Sequence, residues 1–136
     1  MILLDTNVLS ELTKPTPSKK VVTWLGQTEP ALVIPTIAIA EMAYGIEKLA
    51  EGSRRETLRA ALQRLAESFD DRLLAFDLQA AWAYGDILAT ARRAGRPMSA
   101  PDASIAAIAR VHDCALATRN IKDYQTTGLE LVNPWT

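Results

Sequence analysis

Length, composition and charge set the first limits on what this 136-residue chain can be. Its hydrophobic share of 49% and charged share of 23% are typical of globular proteins, and the length suits one domain, residues 1–136, with a sizeable core. Lys and Arg total 15 and Asp and Glu total 16, so the net charge is −1. This balance argues against a protein that holds nucleic acid mainly through a broad basic surface.

Targeting signals and cysteine use predict where the protein works. No apolar run approaches the roughly 20 residues that a membrane-spanning helix needs. The N-terminus lacks the basic start and long apolar stretch of a signal peptide. The single cysteine, Cys114, has no partner for an internal disulfide, which agrees with a reducing compartment. We therefore expect a cytoplasmic protein that does not interact with membranes.

The first half of the chain predicts two strands, each followed by helices. Ile2–Leu4 is the first strand, and Thr6 is predicted to cap a short helix. Ser18 is predicted to cap a second helix, with Val22 and Leu25 facing inward. The next elements are a strand at Ala31–Ile34, a helix from Thr36 to about Ala50, and a helix that begins with the capping-box spacing Ser53–Glu56.

The second half predicts three more strands. Leu73–Phe76 is the third strand, and Asp77 is predicted to cap a helix that ends at Gly95. Another helix runs from about Ala100 to His112. The last two strands are predicted at Cys114–Ala117 and Leu129–Val132. Strands that alternate with helices of this length indicate right-handed crossovers, and therefore an α/β fold whose mostly parallel sheet is covered on both faces.

Polar residues fall where predicted strands end or where the following helices begin. Asp5 directly follows the first strand, Glu41 lies in the second turn of the helix after the second strand, and Asp102 lies in the first turn of its helix. Asn120 and Asp123 follow the fourth strand. Ligands of parallel α/β sheets bind outside the carboxyl ends of the strands. The topology therefore predicts that these side chains gather at one edge.

Each of these residues also has a purely structural interpretation. Asp5 is suited to capping the next helix, and Asp102 lies three residues after Ser99, as in a capping box. Asp123 is suited to a loop and Asn120 to a turn, whereas Glu41 as a surface residue fits poorly beside its apolar neighbours Ala40 and Met42. The case for function therefore depends on convergence of the acids.

Convergence of carboxylates predicts a bound cation. Two like charges at 4 Å repel by roughly 4 kcal/mol at an effective dielectric constant near 20, and a metal ion offsets that repulsion. Oxygen ligands without paired His or Cys favour Mg²⁺ or Mn²⁺ over zinc. Such an ion beside helix N-termini is suited to phosphoryl transfer or phosphodiester hydrolysis.

Other chemistries have weaker support. His112 is the only histidine and lies near a predicted helix C-terminus, where a cation complements the helix dipole. Cys114 lies in an apolar strand, as inert buried thiols do. There is no Walker loop and no GxGxxG motif. A metal-dependent phosphatase on another α/β fold would typically carry a second Asp close to Asp5, where this chain has Asn7.

Four segments resemble the PIN-domain ribonucleases, and within them the VapC and FitB toxins of bacterial and archaeal toxin–antitoxin pairs. They are LLDTNVLSEL, AEMAYGI, APDASIAAIA and ATRNIKDY, in the expected order, and the terminal NPW is similar to the FitB-like branch. The resemblance implies a three-layer α/β/α fold with a central parallel sheet. It also implies metal-dependent endonucleolytic cleavage of RNA.

The resemblance carries over to individual residues. Asp5, Glu41 and Asp102 match the first three acidic positions of the family's metal site, which would hold one or two Mg²⁺ or Mn²⁺ ions. Many relatives have Asp where this chain has Asn120, and both Asn120 and Asp123 belong to the predicted catalytic set. Asp123, three residues on, would be a further metal ligand, and Asn120 would then orient a water or bind phosphate through its amide. The small polar residues that would orient the carboxylates are Thr6, Asn7 and Thr118.

Partners also follow from the resemblance. It implies an RNA substrate, a cognate VapB-like antitoxin whose tail crosses the acidic groove, operator DNA bound only through the antitoxin, and a homodimer. Basic residues that would guide RNA are Lys19, Lys20, Arg92, Arg93 and Arg96, and tryptophans suited to an interface or to the core are Trp24 and Trp82. The alternative is a catalytically weak or inactive PIN module that acts by binding antitoxin or RNA.

Overall fold

Five short parallel strands form the centre of the fold. In a computed structural model, which describes residues 1–136, they are β1 (Ile2–Leu4), β2 (Leu32–Pro35), β3 (Leu73–Leu74), β4 (Ala115–Ala117) and β5 (Leu131–Val132). Their order across the sheet is β3-β2-β1-β4-β5. Strand β1 is central, because Leu3 pairs with Val33 of β2 on one side and Leu116 of β4 on the other.

Six helices cover the sheet on both faces. They are α1 (Thr6–Glu11), α2 (Lys19–Thr28), α3 (Thr36–Glu47), α4 (Ser53–Ser68), α5 (Leu78–Arg93) and α6 (Ala100–Val111). Single 3-10 turns occupy Glu29–Ala31, Asp70–Arg72 and Ile121–Tyr124. The predicted three-layer α/β/α architecture with a parallel sheet is confirmed. None of the helices combines the length and apolar character needed to cross a bilayer.

Alternation of side chains along β1 divides the core into two halves. Leu3 packs into a cluster with α5 and α6, whereas Leu4 packs into a cluster with α1 to α4. Both leucines are fully buried. A strand buried on both faces is expected to be continuously apolar, which is why Ile2–Leu4 shows no polar alternation. The strand is thereby held rigidly, and the residue that follows it has a fixed position.

Several predicted boundaries are wrong by a few residues. The helix that was predicted to reach about Ala50 ends at Glu47. The strand predicted at Leu73–Phe76 is reduced to two residues, and so is the strand predicted at Leu129–Val132. Both are edge strands, each paired with only one neighbour, so their outer residues have less to hold them in the sheet.

The predicted capping role is confirmed for three residues and wrong for two, although the helices begin where they were predicted. Ser18, Asp77 and Ser99 each accept a backbone N–H of their helix, from Val21, Ala80 and Asp102 respectively. Thr6 is the first residue of α1, and Asp5 is its cap. Ser53 is likewise the first residue of α4 and makes no capping hydrogen bond, because Gly52 precedes the helix.

The inward face of α2 is also shifted from the prediction. Val22 is 45% exposed, whereas Val21 and Leu25 are buried. Val21 and Leu25 are four residues apart and lie above one another on a single helix face, which leaves Val22 on another face.

Candidate active site

The candidate site lies where β1 and β4 end side by side. Asp5 follows β1, and its backbone N–H donates to the carbonyl of Ala117 in β4 at 2.9 Å. Thr118 follows β4 and is fully buried, while Asp5 is 4% exposed. Parallel pairing of the two strands therefore brings residues 113 positions apart in sequence into one polar cluster.

Three donors surround the Asp5 carboxylate. Its Oδ1 accepts the backbone N–H of Thr6 at 2.8 Å. Its Oδ2 accepts the hydroxyl of Thr118 at 2.7 Å and the side-chain amide of Asn7 at 3.3 Å. Asp5 thus caps α1 and also belongs to the polar cluster, so both interpretations from the sequence apply to the same residue. None of these three donors carries a positive charge.

Asp102 reaches the same cluster through a tyrosine. Asp102 lies in the first turn of α6, and its Oδ1 accepts the hydroxyl of Tyr124 at 3.0 Å. Tyr124 is only 1% exposed. Its hydroxyl also acts on Asp5, whose pKa it lowers. The phenol therefore interacts with two carboxylates that are far apart in the sequence.

Burial is the main cause of the pKa shifts of Asp5 and Tyr124, and no basic side chain forms an ion pair with the two aspartates. Burial raises the pKa of Asp5, and the negative charge of Asp102 raises it further, against the hydrogen bonds from Thr118 and Thr6. The pKa of Tyr124 is also raised, mainly by burial and to a smaller extent by the negative charges of Asp5 and Asp102. The phenol therefore stays protonated at neutral pH and donates a hydrogen bond. Neither Asp5 nor Asp102 forms an ion pair. The site is therefore an uncompensated negative centre.

Glu41 joins the cluster through Thr6. Glu41 is half-buried in the second turn of α3, and its Oε1 accepts the Thr6 hydroxyl at 2.6 Å. Thr6 was predicted to orient the first carboxylate. It does contact Asp5, but through its backbone N–H, and its hydroxyl is bound to Glu41 instead.

The turn after β4 holds the remaining predicted residues. Asn7 Oδ1 accepts the backbone N–H of Arg119 at 3.2 Å, and Thr118 Oγ1 accepts the backbone N–H of Asn120 at 3.0 Å. The side chain of Asn120 is exposed. Asp123 is also exposed and lines a cleft with Asp102, but it makes no hydrogen bond to the cluster. Membership of Asn120 and Asp123 in the catalytic set stays a prediction.

The donor set fits a hydrated hard cation better than a closed cage of acids. No three His, Cys, Asp or Glu side chains lie close enough together to hold one metal ion among them. Mg²⁺ commonly takes one or two carboxylates and keeps several waters. Asp5 and Asp102 supply two carboxylates that form no ion pair, so they would be the residues to hold such an ion.

Tyr124 is the site residue that the sequence interpretation missed. It is the last residue of the segment ATRNIKDY, in which Asn120 and Asp123 were the predicted site residues. The 3-10 turn Ile121–Tyr124 directs Tyr124 inward and leaves Asp123 outside. The sequence did contain a signal for this residue, namely a tyrosine where a purely apolar aromatic side chain would fill the core equally well. A buried phenol needs a hydrogen-bond partner, so it indicates a nearby polar group.

Removal of the Tyr124 hydroxyl should make the protein more dependent on a cation. Tyr124→Phe is expected to lower the stability of the metal-free protein by about 1.5–3 kcal/mol, the typical contribution of a hydrogen bond to a charged group. Added Mn²⁺ should restore most of this loss, because the ion takes over stabilisation of the carboxylates. The measurement is thermal unfolding with and without Mn²⁺. A Mn²⁺-induced rise in Tm no larger than that of the wild type would contradict this role.

Comparison with known proteins assigns the family. The PIN domain family model matches residues 2–127, a span that includes every predicted site residue. The chain is a PIN domain. It is 39% identical to the plasmid stability protein StbB of Pseudomonas syringae over 99% of both chains. It is 36% identical to the VapC ribonuclease Y4jK of Sinorhizobium fredii, over 99% of this chain and 98% of the relative.

The PIN fold is also matched in solved structures. The structure of FitAB bound to an IR36 DNA fragment contains a chain that superposes with a TM-score of 0.92 at 34% sequence identity. The match covers 100% of this PIN domain and 96% of that chain. Together with the named relatives, this places the chain among the VapC- and FitB-like members of the family, and the resemblance found in the sequence is confirmed.

Proposed function

We propose that this PIN domain is the ribonuclease toxin of a toxin–antitoxin pair, and that it hydrolyses RNA phosphodiester bonds with Mg²⁺ or Mn²⁺ as cofactor. The observation that carries the proposal is the pair Asp5 and Asp102, two carboxylates with no cationic partner at the carboxyl edge of the sheet. The relatives support it, since one is named a VapC ribonuclease and another Toxin FitB.

The mechanism assigns the two aspartates to hold the ion, with Glu41 and Asp123 close by. When bound, the ion lowers the pKa of a water and stabilises negative charge on the phosphate. Thr118 and Asn7 fix Asp5 Oδ2, so that this carboxylate keeps one orientation. Tyr124 does the same for Asp102 Oδ1. The protein thus holds the carboxylate oxygens of Asp5 and Asp102 in fixed orientations at the carboxyl edge of the sheet.

Glu41 is suited to handling a water at this edge. Its Oε1 is engaged by the Thr6 hydroxyl, whereas its Oε2 has no hydrogen-bond partner in the protein. Because Glu41 is half-buried and next to the cluster, Oε2 can accept a hydrogen bond from water and receive a proton as the water attacks phosphorus.

Partners follow from the relatives and from the surface. A FitAB complex bound to DNA supports an antitoxin partner through which operator DNA is bound. The negative site suits Arg or Lys side chains of an antitoxin tail. Trp82 is 70% exposed and Leu78 is 64% exposed on α5, which supports this face as the homodimer contact, whereas Trp24 packs against the core.

The test is cleavage of single-stranded RNA by the purified protein with Mg²⁺ or Mn²⁺, compared with the same reaction in EDTA. We expect cleavage only with the ion, and inhibition by the cognate antitoxin. Cleavage that persists in EDTA would overturn the metal role. One observation favours the alternative of an inactive module, namely the absence of a three-acid cluster. That alternative predicts neither cleavage nor stabilisation by Mn²⁺.

A further inference from the structure

A polar cleft of about 500 Å³ adjoins the carboxylate pair. Its walls are the segment 95–99, between α5 and α6, and the turn that carries Lys122 and Asp123. Asp102 forms part of its lining, and one of its nine lining residues is hydrophobic. The volume lies within the range of about 300–1,000 Å³ typical of small-ligand sites, which is large enough for a nucleotide.

Arg96 is held in this cleft in a fixed orientation. Gly95 adopts a φ of +71° at the end of α5, a conformation that favours glycine, and this turn reverses the chain. The backbone N–H of Arg96 then donates to the carbonyl of Ala91 at 2.9 Å. The guanidinium donates to Gln125 Oε1 at 2.5 Å and to the carbonyl of Lys122 at 3.1 Å. The side chain therefore crosses the cleft and is anchored on its far wall.

The charge of Arg96 is not neutralised by an acid. Both of its hydrogen-bond acceptors are neutral, and it forms no ion pair. A guanidinium has five N–H donors, so donors remain after these two bonds. Lys122, which also lines the cleft, forms no ion pair either. The positive charges of Arg96 and Lys122 thus balance the negative charges of Asp102 and Asp123. A divalent ion bound at Asp102 would make the net charge of the cleft positive.

We propose that this cleft binds a backbone phosphate of single-stranded RNA beside the bond that is cut, with Arg96 and Lys122 as the phosphate ligands. This inference rests on the proposed function and adds the path of the substrate. An anchored guanidinium with free N–H donors matches the geometry of a phosphate. Other basic residues line other depressions: Lys19 and Lys20 line one with Trp24, and Arg92 lines an apolar one that adjoins the cleft at Pro97 and Met98.

The test compares Arg96→Ala with Arg64→Ala. Arg64 is an exposed arginine of α4 that forms no ion pair and lines no described cleft, so it is a matched control. The probe is a labelled oligouridylate of about 12 nucleotides, a length in the range that single-stranded RNA sites cover. Binding is measured in an Asp5→Asn background to prevent cleavage, and KM and kcat in the wild-type background with Mg²⁺.

We expect Arg96→Ala to raise Kd and KM roughly tenfold. We also expect the plot of log K against log salt concentration to become less steep, by the amount that corresponds to the loss of about one phosphate contact. Arg96→Lys, which keeps the charge and is a second variant in case the alanine variant folds poorly, should lie between Arg96→Ala and wild type. Equal Kd for Arg96→Ala and Arg64→Ala would overturn the proposal. So would unchanged RNA binding with weakened binding of a Glu-rich peptide, which would make the cleft a peptide site.

Failure of the proposed function would look different. A wild-type protein that cleaves no RNA but binds the oligouridylate through Arg96 would overturn the ribonuclease activity and support the phosphate site. A wild-type protein that cleaves RNA with the same KM as Arg96→Ala would keep the ribonuclease activity and overturn the phosphate site.

Discussion

Replacement of Asp5 by Asn is expected to reduce RNA cleavage by roughly a hundredfold to a thousandfold or more, the scale seen when a charge-stabilising group is removed from an active site. The amide is neutral and ligates a hard cation poorly, so the ion that neutralises the phosphate is lost. The fold should persist, since the amide oxygen still accepts the Thr6 N–H. Because burial raises the pKa of Asp5, its charge destabilises the metal-free protein, and removal of that charge should offset much of the loss of Oδ2 as an acceptor for Thr118 and Asn7.

The control for this prediction is Asp71→Asn. Asp71 is an exposed carboxylate in the turn before β3, so it lies at the opposite, amino end of the strands. Cleavage of a labelled RNA with Mn²⁺ and unfolding in urea are measured for both variants. Metal-dependent cleavage by Asp5→Asn at the wild-type rate would remove Asp5 from the mechanism, and loss of folding would show that the cluster is structural.

The sequence predicted the architecture well because local signals and topology agreed. Ile2–Leu4 is continuously apolar, as a strand buried on both faces must be, and the alternation of strands with helices allowed only a parallel sheet. The same rule predicted that Asp5 and Asp102 gather at one edge of the sheet. Errors lay at helix and strand ends, as at α4 where Gly52 takes the cap position, and in the inward face of α2, where Val22 is exposed.

Side-chain partners within the site could not be predicted from the sequence. The sequence indicates that Asp5 and Asp102 approach each other, but not that the Tyr124 phenol donates to Asp102 and also acts on Asp5. Thr6 was correctly expected near the acids, yet which carboxylate its hydroxyl binds depends on the packing of α3 against α1. Hydrogen-bond partners of this kind depend on distances of a few ångströms between elements that are far apart in the chain. The spacing of residues in the sequence does not determine these distances.

Thr118→Val should separate the polar role of Thr118 from its shape, because the two side chains are nearly isosteric. The hydroxyl donates to Asp5 Oδ2 at 2.7 Å and accepts the Asn120 N–H at 3.0 Å, and Thr118 is fully buried. Valine leaves the Asn120 N–H without this partner and Asp5 Oδ2 with only the 3.3 Å bond from Asn7. We expect a loss of about 1–3 kcal/mol in the free energy of unfolding. We also expect a decrease of about 10–100-fold in Mn²⁺ affinity or activity, as for other residues that orient metal ligands.

Thr118→Ser is the matched control, since it keeps the hydroxyl and removes only the methyl group. If orientation of Asp5 is the function of this residue, serine should retain Mn²⁺ affinity close to that of the wild type even though the lost methyl group lowers stability slightly. Valine should lose affinity at every pH at which Asp5 is ionised, because what it lacks is the donor that holds Oδ2. The affinities are measured by calorimetric titration of Mn²⁺ into each protein. Equal affinities for the serine and valine variants would mean that Thr118 only fills space, and that rigidity of β1 alone positions Asp5.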